Sequence, residues 1–600
     1  MSDRRIVRAA LALAVAALAL AGATADRLAA LRVAADLAIA PAELRARPLD
    51  ADSAWLALGS FRGLAVSAMW IRAQDLEREG RYHASAELAG RIARLQPNMP
   101  GVLAFLAHNL AYNIAGAMSD PEARWSWVQA GIRLLRDDGV HADPTNAAHY
   151  IELAQTIAQK CLAGVDHAEP HYRRYLAQRW QVILGAPPPD DKDRAAWLAP
   201  LATAPPSLDE LAQATPAAAR VLGIVLELGL ALDDTLLARV EAVALYQELA
   251  ALGHPKATER LAELAPLARA LADPELAAGW TALVHYLRAR AVRAQGMDPD
   301  LMRALTAELG PVDWRHPAAH VLYWAWVGRQ RSRPRPNLPA ERVQRHANTL
   351  DRFVREASRH LVREGRIALD GPTVRRWPAI AMLPAYVRAL ERERARVDPA
   401  DVTLRERLTD ELADVLTWSA RASLYAGDDR AARLWHAELV KVAGVAWSLE
   451  EMVWRVDAKG LANATLTLDD ARQRLLDLAI RAIELGLAER DGARAHRIYE
   501  QATRLRAFVL AHSDATEEQI PSIMDLYCEA FLKYLESPGP DPLRRARAWG
   551  AAPLWLRLAV YDLALPSLTK LCLASGLDLV KAFPEPEGLA EYRASRPQDR

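Results

Sequence analysis

The stretch Val66-Ser67-Ala68-Met69-Trp70-Ile71-Arg72-Ala73-Gln74-Asp75-Leu76-Glu77-Arg78-Glu79-Gly80-Arg81-Tyr82-His83-Ala84-Ser85-Ala86-Glu87-Leu88-Ala89 decides the fold. Its spacing predicts one helix from Leu64 to Glu79, a tight turn at Gly80-Arg81-Tyr82, and a second helix from His83 to Gln96 stopped by Pro97. Small Ala73 and Ser85, apolar Met69 and Leu76, and Pro97 fall where a tetratricopeptide unit places such residues; Ala89 stands where a larger side chain belongs. A helix pair of this kind cannot bury its own apolar face and must stack on neighbours. The expectation for the whole chain is therefore an all-α fold, a degenerate TPR-like α-solenoid of stacked helix hairpins.

Working outward, the composition agrees. The chain has 600 residues, 52% hydrophobic and 25% charged, with only 6% aromatic. That length exceeds one compact core. Ala, Leu and Arg, all strong helix formers, dominate, and alternating β-branched runs of strand length are scarce. Basic and acidic residues balance at 75 each, which argues against a globally basic nucleic-acid binder.

Helix punctuation recurs along the chain. Asp120-Pro121, Pro144-Thr145, Pro170, Asp273-Pro274 and Asp298-Pro299 read as helix starts. Ser207-Leu208-Asp209-Glu210 is a capping box. Breaks are read at residues 186–191, at Pro205-Pro206, from Arg329 to Pro339, and at Asp370-Gly371-Pro372, Asp398-Pro399 and Ser537-Pro538-Gly539-Pro540. The segments around Gly427 and Gly492 echo the opening helix–Gly–helix pattern at irregular spacing. This yields a lead-in over 26–54, helical regions over 55–185, 192–328 and 340–585, and a tail over 586–600.

The N-terminus reads as a targeting segment. Arg4, Arg5 and Arg8 precede an uncharged run from Ala9 to Ala25, and Ala23-Thr24-Ala25 offers a small-x-small cleavage site. A cleaved signal peptide and an uncleaved membrane anchor both fit, since the run is at the short edge of a span. Either places residues 26–600 in the cell envelope, on the periplasmic side of the cytoplasmic membrane.

Chemistry-bearing motifs are sparse. Cys161, Cys528 and Cys572 form no paired motif, and at most Cys528 and Cys572 bridge. His167-Ala168-Glu169-Pro170-His171 gathers two imidazoles, but Pro170 denies them one helical face; no metal or cofactor is expected. Trp125, Trp127, Trp324 and Trp326 lie at helical spacing and read as packing residues. Asp313 is expected to pair with Arg315 and to cap the helix that Pro317 begins. From Arg329 to Arg366 eleven arginines face four acids. Arg329, Arg331, Arg333, Arg335, Arg342, Arg345 and Arg352 are the candidate contacts to an anionic lipid or polymer surface.

Several phrases carry a resemblance: Leu58-Gly59-Ser60-Phe61-Arg62-Gly63-Leu64, Trp70-Ile71-Arg72, Glu79-Gly80-Arg81-Tyr82, Leu95-Gln96-Pro97, Gly310-Pro311-Val312-Asp313-Trp314-Arg315, His320 and Tyr323-Trp324. Over residues 55–330 the chain resembles an uncharacterised family of membrane-anchored, tetratricopeptide-like helical proteins from planctomycete-type bacteria, with Ser60 at the place of a second Gly. The resemblance implies an exported or tethered helical-repeat protein and transfers no catalytic residue. The leading expectation is a non-catalytic scaffold binding a protein partner in the envelope. An all-α enzyme acting on polysaccharide or peptidoglycan and an assembly factor docking on anionic lipid are the alternatives.

Overall fold

The computed structural model describes residues 62–95, 100–188, 193–334, 338–370, 373–425, 428–444, 468–488, 492–512, 519–537 and 541–595, with a few isolated positions besides. The chain is all-α, with one short two-stranded antiparallel sheet among the described residues. It divides into two compact units, each built from two stretches of chain: Met1–Tyr175 with Pro317–Ser358, and Leu176–His316 with Arg359–Arg600. The export segment over 9–25 and the arginine Arg335 fall largely or wholly outside the described residues.

In the first unit the opening pair forms as read. Helix Arg62–Arg78 packs on helix Tyr82–Leu95 through a turn at Gly80. Gly80 has φ +73°, a conformation that a Cβ makes costly, which is why the turn needs Gly there. Val66, Ala73, Leu76, Ser85, Ala89 and Ile92 are buried between the two helices and their neighbours. Pro97 lies outside the described residues.

The next helix runs from Pro100 to Ala117 with a π-helical turn at Asn109–Ile114. Asp120 Oδ2 then accepts from the Ala123 amide at 2.7 Å, so the expected Asp-Pro start is real. The following start is displaced: Asn146, not Pro144 or Thr145, caps helix Ala147–Cys161 through the Ala148 amide. Helix Pro317–Arg331 packs along that helix and is buried on nearly every side from Pro317 to Gly328. Trp125, Trp127 and Trp324 are buried and Trp326 half-buried, as packing residues should be.

In the second unit, Ser207 Oγ accepts from the Glu210 amide at 3.2 Å, completing the capping box. One apolar cluster joins Val221, Val225, Leu237, Trp280, Leu283 and Leu287. Another joins Phe531, Tyr534, Trp549, Val560, Leu568 and Phe583. Leu249 and Leu252 pack against this second cluster, and Leu252 O accepts from the Asp578 amide at 3.1 Å. These contacts join helices far apart in sequence within the unit, beyond the nearest-neighbour packing of a strict stack.

Two expectations are corrected. The segments flanking the break read at Asp370-Gly371-Pro372, whose Gly371 and Pro372 lie outside the described residues, are strands and not helices: β1 (Arg366–Asp370) pairs with β2 (Thr373–Trp377) from Arg366↔Trp377 to Asp370↔Thr373. The presumed tail contains helix Leu589–Ser595, held because Leu589 is buried and joins the C-terminal cluster. Among the described residues one helix, Leu554–Ser575, is long and apolar enough to cross a membrane. Its residues Leu556, Val560, Ala564, Leu568 and Cys572, spaced by four, face the core of this unit.

Candidate functional site

An open, largely apolar groove of about 350 Å³ lies in the second unit. It forms where helix Leu468–Ile483 passes through a π-helical turn at Glu484–Ala488 to reach helix Gly492–His512. This is the segment around Gly492 that echoes the opening helix pair. Gly486 allows the close approach there, since a Cβ on it would lie 2.8 Å from the Ala495 Cβ. Helix Ile523–Glu536 and the first turn of Leu554–Ser575 complete the walls.

Ile483, Tyr499, Met524, Tyr527, Trp555 and Leu556 line the groove. On helix Gly492–His512 the inward stripe is Ile498, Ala502 and Leu505, so Ala495 and Tyr499, one turn apart, are left on the groove side. Tyr499 and Tyr527 meet edge to face at 5.5 Å between ring centres. Burial, then the neighbouring Tyr499, push the Tyr527 hydroxyl well above its ordinary range, so it stays neutral. Met524 is 52% exposed and Trp555 40%. An exposed apolar patch of aromatic and Met side chains is the composition of a protein-contact surface. Among the described residues that line this groove none is a carboxylate.

Elsewhere the residues singled out in the sequence serve the framework. Asp313 is 1% exposed and sits in the second unit between two arginines. Arg315 reaches it twice, Nε to Oδ1 at 2.9 Å and Nη2 to Oδ2 at 2.7 Å, and Arg194 Nη1 lies 3.4 Å from Oδ2. Arg315 also donates to Gln181 Oε1 at 2.7 Å and to the Ile367 carbonyl at 2.6 Å. Trp314 Nε1 donates to Thr306 Oγ1 at 3.1 Å. Burial alone would raise the Asp313 carboxyl; the charge and hydrogen bonds of Arg315, then the charge of Arg194, reverse this and hold it well below the usual carboxylate range. The expected Asp313–Arg315 pair is found, and it is a structural corner tying β1 to helices.

The His167–His171 segment does not assemble a metal site. His167 is exposed with its side chain 83% accessible, and His171 is exposed too. The residue that matters is the one before it. Asp166, missed in the sequence, takes Arg124 and Lys160 at 3.0 Å each and the Ala168 amide at 3.0 Å. Burial raises its carboxyl, but these donors carry it down to about 2. Lys160 lies six residues before Asp166, but Arg124 is 42 residues away, so the pair of cations leaves no local motif to read. Among the described residues no group of three His, Cys, Asp or Glu is placed to hold a metal. All three cysteines are free thiols.

Two adjacent acidic pairs in the sequence, Asp233-Asp234 and Asp428-Asp429, serve as caps and ion-pair partners: Asp233 accepts from the Thr235 amide and Asp428 from the Ala431 amide, while Asp234 meets Arg179 and Asp429 meets Arg504. Of the candidate anion contacts, Arg329 pairs with Asp351 at 3.0 Å and Arg352 approaches Glu356 at 3.8 Å. Arg331, Arg333, Arg342 and Arg345 are exposed. Family models, curated proteins and solved structures were all compared with the chain, and none matches it.

Proposed function

We propose that the protein is a non-catalytic helical-hairpin scaffold, exported to or tethered in the cell envelope, that captures an amphipathic helical segment of a partner protein. The observation that supports this is the apolar groove on the Gly492 helix pair, with Met524, Trp555 and Tyr499 exposed along it. Grooves between paired helices accept an amphipathic helix through apolar anchors spaced three and four apart, and aromatic and Met walls adapt to such anchors. The N-terminal basic head and apolar run support the envelope location. An enzyme of polysaccharide or peptidoglycan needs two carboxylates facing one cleft, and no observation among the described lining residues favours that reading.

The test is site-specific photocrosslinking in intact cells. A photoreactive phenylalanine analogue replaces Met524 in one strain and Leu434, which is 60% exposed elsewhere in the same unit, in another. The proposal expects a protein adduct from position 524 alone, mapped to a partner segment with apolar residues at helical spacing and lost on Trp555→Asp. Adducts to lipid alone, or equal adducts from both positions, would refute it.

A further inference from the structure

A second site, chemically opposite to the groove, lies in the first unit. Helix Ala147–Cys161 begins beside the segment that follows helix Pro317–Arg331, and the Arg333 amide donates to the Thr145 carbonyl at 3.0 Å. This stitch sets two arginines at the positive end of the Ala147–Cys161 helix, where first-turn amides already favour negative charge. A cavity of about 250 Å³ opens between them and helix Ala340–Glu364. Val343 and Leu350 supply apolar wall, and the polar wall is Asn146, Arg329, Ser332, Arg333, Gln344 and His346; among the described lining residues none is a carboxylate, and Asp143 and Asp351 bond Asn146 and Arg329 from outside the lining.

The guanidinium groups are set but not used up. Arg329 gives only Nε to Asp351, and its two terminal nitrogens make no hydrogen bond among the described residues. Arg333 gives Nη1 to the carbonyls of Gln330 and Ser332 at 3.2 and 3.3 Å, which holds its guanidinium group at the cavity lining. His346 is half-buried, and burial followed by the charges of Arg342 and Arg345 lowers its pKa. A neutral imidazole offers one N–H donor. Planar guanidinium forks, one imidazole donor and a helix N-terminus together suit a tetrahedral oxyanion.

We propose that this cavity binds a phosphate-type oxyanion, held by Arg329 and Arg333 over the N-terminus of the 147–161 helix. The ligand is either free phosphate or the phosphate of a lipid headgroup, which present the same oxygens.

Inorganic phosphate is titrated calorimetrically into the full chain and into Arg329→Ala/Arg333→Ala. The wild type is expected to show one saturable site, and the double variant a loss of about tenfold or more, given the strength of charge-assisted hydrogen bonds. Asp351→Asn removes a competing negative charge and releases Arg329 Nε, so it is expected to tighten binding, an outcome that misfolding does not produce. The lipid arm is flotation with phosphatidylcholine vesicles with and without phosphatidylglycerol, read as the difference between wild type and double variant. A difference that needs phosphatidylglycerol and is competed by phosphate assigns the headgroup. Calorimetric binding without that difference assigns free phosphate. Binding unchanged in the double variant, or no saturable phosphate binding and no arginine-dependent flotation, overturns the proposal.

Discussion

Asp313→Asn is the most informative single change to the framework. The amide keeps the shape of the carboxylate and removes its charge, so the effect is electrostatic and not a cavity. In the native chain that charge answers two buried arginines, Arg315 and Arg194, which are 7% and 4% exposed. Removing one partner of a buried ion pair costs about 3–5 kcal/mol, because the remaining charge stays buried without its counter-charge. Here one carboxylate serves two cations, so the upper half of that range is expected. Arg194→Met should cost less, since Asp313 then keeps its two shorter bonds to Arg315. Asp300→Asn is the control, an exposed pair with Arg303 at 2.8 Å, for which below about 1 kcal/mol is expected. Urea unfolding followed by circular dichroism gives the ranking. Hydrogen exchange locates it: peptides covering Thr306–His316 and Arg366–Asp370 should lose protection together, because Arg315 bonds the Ile367 carbonyl. Asp313→Asn within about 0.5 kcal/mol of wild type, or Arg194→Met costing more, would refute the reasoning that the two cations depend on one anion.

Two further outcomes follow from single residues. His149 is fully buried in the first unit, its ring nitrogens have no hydrogen-bond partner among the described residues, and burial lowers its pKa from 6.5 to about 4. The folded state therefore resists a proton that the unfolded chain accepts, so stability falls as pH drops from 6.5 toward 4, by about 3 kcal/mol in full. His149→Leu is expected to flatten that limb of a melting-temperature profile and to be neutral or stabilising at pH 7; an unchanged slope between pH 6.5 and 4 counts against it. Gly310 has φ +111°, and a Cβ there would lie 3.0 Å from the Ala381 carbonyl oxygen and the Met382 Cα. Gly310→Ala combines strain with overpacking and should cost about 2 kcal/mol or more in urea unfolding, against under about 0.5 kcal/mol for Gly223→Ala on an open helix face.

The local grammar of this chain was legible. The caps at Asp120 and Ser207, the Gly80 turn and the Asp313–Arg315 pair involve residues within three positions of one another, where hydrogen-bond geometry follows from spacing. The hairpin was missed although Asp370-Gly371 between Ile367 and Val374 is a turn signal, because two five-residue strands are weak against a helical background. The Arg124 contact to Asp166 and the Arg194 contact to Asp313 were missed for another reason: each joins residues far apart in sequence. The groove lies between these cases. Its Gly492 pair echoes the opening unit, but Met524 and Trp555 join it only through tertiary packing.

Buried polar groups and exposed apolar groups are the informative departures from the ordinary distribution of residues, and in this protein they fall in different places. The buried charges Asp166, Glu169 and Asp313 each meet named cations and amides, so their energy is committed to holding helices at fixed distances. Met524, Trp555 and Tyr499 are the reverse, apolar surface left in water, and their exposure is unfavourable until something covers them. Arg329 and Arg333 are a third kind, charges held in place with donors to spare. Binding is therefore to be sought where the framework leaves interactions unmade, at the groove and the arginine pocket, and not at the buried carboxylates that a search for strongly perturbed ionisable groups selects first.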